Sequence, residues 1–177
     1  MDEEIEQAFL IAINRLPTDR AKYCDTYEIK FLPLIGNTES LEETQNLVRE
    51  QMLALIAEAE KLIAENATVA QDQTIYNQKF NKIYGSIEEK KAKIAEIDIQ
   101  ISEALARKEN ARIYLEGLRE AGSGFLITKF DVRLWHKVVE YVKVMPDATL
   151  VFHFRNGHEE SVSLKEAQQK PYDGLQS

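Results

Sequence analysis

Apolar residues recur in alternating steps of four and three positions through the middle of the chain. This spacing is typical of a coiled-coil seam. A helix carrying the whole run would have about 43 residues and, at about 1.5 Å per residue, a length of about 65 Å. The thirteen positions, eleven of them apolar or alanine, are Tyr76, Phe80, Ile83, Ile87, Lys90, Ile94, Ile97, Ile101, Ala104, Lys108, Ala111, Leu115 and Leu118.

A helix of this length cannot be buried within a chain of 177 residues, so it needs a partner helix. A second seam lies just upstream and predicts that partner, at Leu41, Val48, Met52, Leu55, Ala59, Leu62 and Val69. Ser40 followed three residues later by Glu43 matches a capping box and predicts where this helix begins. The seam fades at Asn66, so residues 67–74 are predicted to form the reversal, with Asp72 or Thr74 capping the returning helix.

A different composition follows the Gly-Ser-Gly stretch at residues 122–124. Apolar positions at helical spacing predict a short helix over residues 130–141. Three strands are predicted after it, at residues 142–145, 150–154 and 161–164. The middle strand alternates apolar and polar residues, and the Asn156-Gly157 pair that follows it favours a tight hairpin. From Lys165 onward the chain is polar and is expected to fray.

The N-terminal residues complete the predicted fold. An amphipathic helix is expected to end at Pro17, and an irregular connector is expected to follow it, with room for one helical turn or a short strand. The sequence thus predicts a mainly α fold with a small α+β end, in which an antiparallel coiled-coil hairpin projects from a compact helix and three-stranded antiparallel β-meander. The predicted domains are residues 1–40, packing on the compact end, the hairpin at 41–121, and the short helix, meander and polar tail at 122–177.

Charge is distributed unevenly along the chain, which has a formal net charge of −8. Residues 1–73 carry six Lys or Arg against fifteen Asp or Glu, whereas residues 122–177 carry seven of each. Any approach to phosphate is therefore expected from the C-terminal part. The absence of a long apolar run and of a basic leader predicts a cytoplasmic protein without a membrane partner.

Common catalytic motifs are missing from the sequence. It has no Gly-rich phosphate loop, no His-Glu-x-x-His pair, no Cys-x-x-Cys and no Gly-x-Ser-x-Gly, which favours a protein without catalysis. The lone Cys24 is expected to be an idle thiol. A metal held by His136, His153 and His158 is an alternative that would favour an enzyme, although isolated histidines without a cysteine partner are more often structural.

One basic stripe stands out. Lys129, Arg133 and Lys137 recur every four residues along the short C-terminal helix, and Lys143 and Arg155 follow on the strands. These five residues are the candidate contacts with DNA phosphate. The alternative is an ordinary solvated helix face, which Asp131 and Glu140 favour because they dilute the positive charge.

The C-terminal segment resembles the segment that closes large serine recombinases, the phage integrases and transposon recombinases. The residues that carry the resemblance are Phe130, Asp131, Leu134, Trp135, Val138, Val139, Glu140, Val142, Val144, Asp147, Leu150, Phe152, Phe154, Asn156, Gly157 and Glu159. In that family a long helical hairpin projects from a zinc ribbon domain, and the chain then returns through a short helix and strands. The order of elements predicted here is similar over nearly the whole chain.

The resemblance implies a fragment without catalysis, because the family's catalytic serine domain, recombinase DNA-binding domain and cysteine-rich zinc ribbon have no counterpart here. It implies no cofactor in this chain, with zinc only in an upstream ribbon. It implies that the hairpin contacts other recombinase subunits on DNA, controls synapsis and is modulated by a directionality factor, in the cytoplasm of a bacterial or phage-infected cell. The contact point would be a tip formed by Val69, Ile75 and Tyr76, unless these residues simply close the hairpin.

A hypothesis of another class is a free-standing coiled-coil adaptor or structural protein unrelated to DNA. In that case the seam would pair between chains, and the protein would form a stable dimer at low concentration. The recombinase hypothesis predicts weak self-association and weak DNA binding by this piece alone.

Overall fold

The computed structural model describes residues 3–69 and 72–169. These residues are mostly helical, with a long helix pair and a small three-stranded antiparallel sheet at the C-terminal end, which confirms the predicted fold class. The chain divides into a hairpin unit, residues 37–105, and a compact unit, residues 1–36 and 106–177. The elements are α1 Glu3–Arg15, α2 Arg20–Lys30, α3 Leu32–Ile35, α4 Glu39–Thr68, α5 Gln73–Glu120, α6 Val132–Val138, β1 Val139–Val144, β2 Thr149–Phe154, β3 Glu159–Ser163 and α7 Leu164–Gln169.

Helices α4 and α5 pair along the predicted seams. All thirteen seam positions of α5, which runs for 48 residues, are buried or half-buried. Six of the seven α4 positions are as well, and the exception is Val69. Leu62, Ile83 and Ile87 form the buried centre of the hairpin unit. The coiled-coil spacing therefore identified both helices and the faces that they bury.

Polar contacts also connect the two helices of the hairpin unit. The Lys90 ammonium donates to the Gln51 side-chain oxygen at 2.7 Å, and the Gln45 amide donates to Asp98 Oδ1 at 2.5 Å. Lys90 therefore interrupts the apolar seam with a hydrogen bond across the hairpin. Such polar pairs favour one register of the two helices over its neighbours.

The helix ends of the hairpin differ partly from the prediction. The capping box at Ser40 is wrong, because α4 already begins at Glu39 and its N-cap residue is Thr38. Asn37 Oδ1 accepts from the Glu39 backbone N–H at 3.1 Å and so satisfies a donor of the first turn. The cap on α5 is confirmed as Asp72, whose carboxylate accepts from the Thr74 backbone N–H at 2.8 Å.

The core of the compact unit lies around α1. Six consecutive residues of α1, 8–13, are buried, so the centre of this helix is enclosed on every side rather than amphipathic as predicted. The other core residues come from the end of α5, from α6, from the sheet and from α7, and α2 contributes Cys24. The largest fully buried side chains include Phe9, Tyr114, Phe152 and Phe154. A cluster of edge-to-face aromatic rings joins α1 to the sheet, with Phe9 and Trp135 centred 5.1 Å apart.

Two helices of the compact unit were not predicted. Helix α2 replaces most of the expected irregular connector, and its N-cap Asp19 accepts from the Lys22 backbone N–H at 3.1 Å. It lacks an apolar repeat because it buries only Arg20 and Cys24. Helix α7 follows β3 where fraying was expected, and its residue Ala167 is buried. The rest of the polar tail, residues 170–177, lies outside the described residues.

The sheet has the order β1-β2-β3 and is antiparallel throughout. Helix α6 ends three residues earlier than predicted, and β1 begins at Val139 with a bulge between Val139 and Tyr141. At the second hairpin the Gly157 N–H donates to the Phe154 carbonyl at 2.8 Å, and the Phe154 N–H donates to the His158 carbonyl at 2.9 Å. Gly157 has a φ of +84°, so the hairpin predicted at Asn156-Gly157 is present and its turn is a three-residue loop with glycine in the left-handed position.

Candidate functional site

The hairpin turn leaves two apolar side chains in solvent. Val69, just after α4, is 62% exposed, and Ile75, in the first turn of α5, is 52% exposed. Tyr76 differs from both because it is half-buried, packs against the central cluster of the hairpin unit and stacks on Phe80 with ring centroids 6.0 Å apart. Of the three predicted contact residues, Val69 and Ile75 are therefore available to a partner, and Tyr76 also supports the hairpin.

Two members of the predicted basic stripe are engaged in internal contacts. The Lys137 ammonium pairs with Glu120 at 2.7 Å and with Glu116 at 2.9 Å. These two hydrogen bonds raise the pKa of Lys137 above its ordinary value. The Arg155 guanidinium donates to the His136 carbonyl and to Asn110 Oδ1, both at 3.1 Å. Lys137 and Arg155 consequently fasten elements of the compact unit to each other.

The remaining members are free to meet a ligand. Lys129, Arg133 and Lys143 are exposed, and their side chains pair with no acidic group among the residues that the structure describes. Lys143 lies on β1. Lys129 and Arg133 share the lining of a groove along residues 125–134, beside the end of α5.

This 125–134 groove has a volume of about 820 Å³. Its exposed apolar residues are Phe125, Leu126 and Val132, which are 81%, 49% and 51% exposed. This exposure could not be predicted from the sequence. An apolar run after a glycine-rich stretch is more typical of a segment entering a core, and hydrophobicity alone does not tell on which side of the backbone the core lies.

The segment that carries these apolar side chains is held at its backbone. Asn14 binds Ile127 twice, accepting from its N–H and donating to its carbonyl, each at 2.8 Å. The Ser123 hydroxyl accepts from the Ala21 N–H at 2.7 Å. The Gly124 N–H donates to the Thr18 carbonyl at 3.0 Å. Helices α1 and α2 and the link between them therefore fix the course of residues 123–127.

Arg20 completes this attachment from inside the compact unit. It is only 1% exposed, and its Nη1 donates to the Gly122 carbonyl at 3.1 Å and to the Phe125 carbonyl at 2.9 Å. No carboxylate among the described residues pairs with it, and its Nε has no hydrogen-bond partner. Burial lowers the pKa of Arg20 below its ordinary value. A buried cation without a counter-ion is costly, and the hydrogen bonds to these carbonyls offset part of that cost while they hold the segment.

The three histidines lie in separate environments. His153 Nδ1 pairs with Glu159 at 2.9 Å, and His158 Nε2 pairs with Glu160 at 3.0 Å. His136 is exposed on α6. Within residues 3–69 and 72–169, no group of three or more His, Cys, Asp or Glu side chains is placed to hold a metal ion.

Cys24 and a group of tyrosines form a buried polar cluster. The Cys24 thiol is fully buried and lies 3.6 Å from the Leu115 carbonyl, and burial raises its pKa. Burial likewise raises the pKa of Tyr114 far above its ordinary value, with a smaller contribution from the neighbouring Tyr23. The Tyr114 hydroxyl itself lacks a well-formed hydrogen bond. Because the thiolate and not the thiol is the nucleophile, this burial disfavours the reactive form of Cys24.

Comparisons of the chain with protein-family models, with curated proteins and with solved structures found no match. In the part of the chain that the structure describes, no helix combines the length and the apolar character needed to cross a membrane.

Proposed function

We propose that this chain is a non-catalytic assembly module of a site-specific serine recombinase, in which the α4–α5 hairpin contacts another recombinase subunit and so controls synapsis and direction. The observation that carries the proposal is the exposure of Val69 and Ile75 at a turn between two helices whose seams are otherwise buried. The resemblance of residues 125–160 to the recombinase C-terminal segment supplies the biological setting.

The closed seam supports a contact at the turn over pairing along the whole hairpin. Apart from Val69, the apolar seam residues of α4 and α5 are buried or half-buried within one chain, so they leave no open seam for a second chain to share. Among the described residues of the hairpin unit, no two of the other large exposed apolar residues lie three or four positions apart in one helix, so neither helix carries a second stripe at helical spacing. These residues are Leu47, Leu53, Ile63, Tyr84, Ile99 and Leu105.

A contact made by two side chains is weak when the chains are free in solution. It buries far less than the roughly 1,200 Å² of a standard stable interface. DNA that holds two subunits close together would raise their effective concentration and make the contact productive. Such a contact forms when recombination sites are paired and dissolves afterwards, which suits a step that must be reversible.

DNA contact by this chain is a smaller part of the proposal. Lys129, Arg133 and Lys143 are the candidate phosphate contacts whose charge is not already neutralised. Three cations on a chain with a net charge of −8 predict weak binding to duplex DNA that is lost in moderate salt. Zinc belongs to the proposed upstream ribbon, the directionality factor is a further partner of the hairpin, and the site of action is the cytoplasm.

The first experiment is to sequence the source DNA upstream of the codon for Met1. An in-frame extension that encodes a cysteine cluster and a serine-recombinase catalytic domain would support the proposal. A stop codon followed by a genuine start site would contradict it and favour the adaptor.

The second experiment tests the turn. We expect the double substitution Val69→Glu and Ile75→Glu to abolish pairing of recombination sites by the full-length recombinase while leaving each single site bound, because two charged side chains cannot meet across an apolar contact. Ile99→Glu is the matched control, since Ile99 is 60% exposed on α5 away from the turn. Gel-shift assays of single-site and paired complexes distinguish these outcomes. Equal loss with Ile99→Glu would contradict the proposed contact, and a stable dimer of the isolated chain in sedimentation would favour the adaptor.

A further inference from the structure

From the 125–134 groove we infer a second interaction site, which binds an acidic peptide segment of a protein partner through at least one large apolar side chain. The inference depends on the compact unit alone and stands whether or not the hairpin function is correct. Three features of the groove support it: its exposed apolar side chains, its cations without acidic partners, and the predominance of apolar over cationic side chains in its lining.

The apolar exposure is built into the fold. Phe125 is 81% exposed, yet its own carbonyl is bound by the buried Arg20 guanidinium at 2.9 Å. Two residues later, both backbone polar groups of Ile127 are bound by Asn14. The backbone is thus held on either side of Leu126 while the Phe125 and Leu126 side chains face solvent. A flexible loop could fold these side chains away, whereas this segment presents them to a ligand.

The groove also carries two cationic side chains that have no acidic partner. Lys129 and Arg133 have no acidic partner among the described residues. Both acidic side chains of the groove already have partners within the compact unit. Glu120 binds Lys137 at 2.7 Å, and Asp131 accepts from the Arg133 backbone N–H at 2.7 Å. Asp131 keeps its negative charge because its partner is a neutral backbone group, so an entering carboxylate would meet two available cations and one carboxylate. The guanidinium of Arg133 can bind the entering group in bidentate geometry.

The proportion of apolar to cationic side chains in the groove favours a peptide over a nucleic acid. The lining includes six apolar side chains but only two free cations, and nucleic acid binding depends chiefly on many phosphate contacts. The residues are Phe125, Leu126, Ile127, Phe130, Val132 and Leu134. An apolar anchor flanked by carboxylates complements this lining at both its apolar and its charged positions.

The test begins with selection from a displayed library of random peptides on the immobilised full chain. We expect the enriched sequences to be acidic and to share at least one large apolar residue. A labelled copy of an enriched peptide then gives affinities by fluorescence anisotropy. Replacing its apolar residue by serine, or its carboxylates by amides, is expected to weaken binding about tenfold or more.

Substitutions of groove residues test whether the peptide binds at this site. We expect Phe125→Ser, and separately the pair Lys129→Gln and Arg133→Gln, each to weaken peptide binding about tenfold. The matched controls are Ile29→Ser and Lys30→Gln on α2, since Ile29 is 76% exposed and Lys30 is exposed without an acidic partner. These controls are expected to leave the affinity unchanged. All substituted residues are exposed, and thermal unfolding confirms that each variant is folded.

Three outcomes would overturn the inference. The first is a library that yields no enrichment, or sequences without acidic and apolar residues. The second is peptide binding that the groove variants do not weaken. The third is tighter binding of a single-stranded oligonucleotide, or of duplex DNA, with the same net charge as the peptide. If the groove variants also lost this binding, the groove would be a nucleic acid site.

Discussion

The hairpin unit and the compact unit bury apolar side chains to different depths. In the hairpin unit a single seam lies between two helices, and its central cluster, Leu62, Ile83 and Ile87, keeps 8% of each residue exposed, although Ile97 further along the seam is only 2% exposed. In the compact unit helices and a sheet surround the core, and Phe9, Phe152 and Phe154 are fully buried. Stability in the hairpin therefore accumulates along its length, whereas stability in the compact unit depends on a few deeply packed side chains.

The largest expected effect tests this difference directly. Phe152→Ala is expected to lower the free energy of unfolding by about 3–5 kcal/mol, because an enclosed site cannot collapse around the missing ring. Leu62→Ala in the hairpin is expected to cost about 2 kcal/mol, since neighbours in a one-layer seam can shift towards the gap. Urea unfolding followed by circular dichroism measures both losses. Equal losses would show that the two cores are packed equally well.

Two glycines of α5 are expected to respond to alanine substitution with opposite changes in stability, both smaller than the loss from Phe152→Ala. A Cβ added at Gly117 would lie 2.8 Å from Lys137 Cβ and 3.0 Å from a Val138 methyl carbon, so this glycine allows α6 to approach α5. Gly117→Ala is expected to destabilise the protein by about 1–3 kcal/mol through overpacking. A Cβ at Gly85, in the hairpin part of α5, would meet nothing within 4 Å. Gly85→Ala is expected to stabilise by about 1 kcal/mol, because alanine favours the helix.

Thermal and urea unfolding of the two alanine variants would separate these effects. If Gly117→Ala proved neutral, α6 would be able to move away at little cost, and the compact unit would be less tightly packed than its burial indicates. A destabilising Gly85→Ala would reveal a need for glycine in the hairpin that its open surroundings do not explain.

Local repeats explain why the hairpin was more predictable than the compact unit. The position of each α5 seam residue in the repeat decides which face of the helix it lies on, and the repeat can be read from the sequence. The two helices and their buried faces could therefore be predicted from the spacing of apolar residues. Asp72 was identifiable as a cap for the same local reason. Helix α2 was missed because its buried residues, Arg20 and Cys24, form no apolar repeat.

The candidate sites show the same limit. Exposure of Val69 and Ile75 followed from their place beside a turn, whereas Tyr76 is half-buried because its ring stacks on Phe80 one helical turn away. The five-residue basic stripe was visible in sequence, but its neutralisation at Lys137 depends on Glu116 and Glu120, which a separate helix supplies. Likewise, the presentation of Phe125 depends on Arg20, more than a hundred residues away. Contacts of this kind leave no periodic signal in a single sequence.

The smallest expected effect concerns a buried polar group and appears only at high pH. Tyr114 keeps its proton in the folded protein because burial raises its pKa, whereas an unfolded tyrosine ionises near about pH 10. Above that pH the unfolded state binds fewer protons than the folded state, so stability falls by about 1.4 kcal/mol per pH unit for this group. Tyr114→Phe removes this loss and leaves stability near neutral pH within about 1 kcal/mol, since the hydroxyl is poorly hydrogen-bonded.

Urea unfolding of Tyr114→Phe and the parent protein at neutral pH and above about pH 10 measures this difference. The matched control is Tyr84→Phe, because Tyr84 is 55% exposed on the hairpin and its hydroxyl meets water in the folded and the unfolded state. Its alkaline stability is expected to follow that of the parent protein. If Tyr114→Phe lost stability at high pH as steeply as the parent, the alkaline sensitivity would come from other groups that burial affects in the same direction, such as Tyr23 and Tyr27. A gain confined to Tyr114→Phe would show that depth of burial, rather than the number of tyrosines, decides which unit is sensitive to alkali.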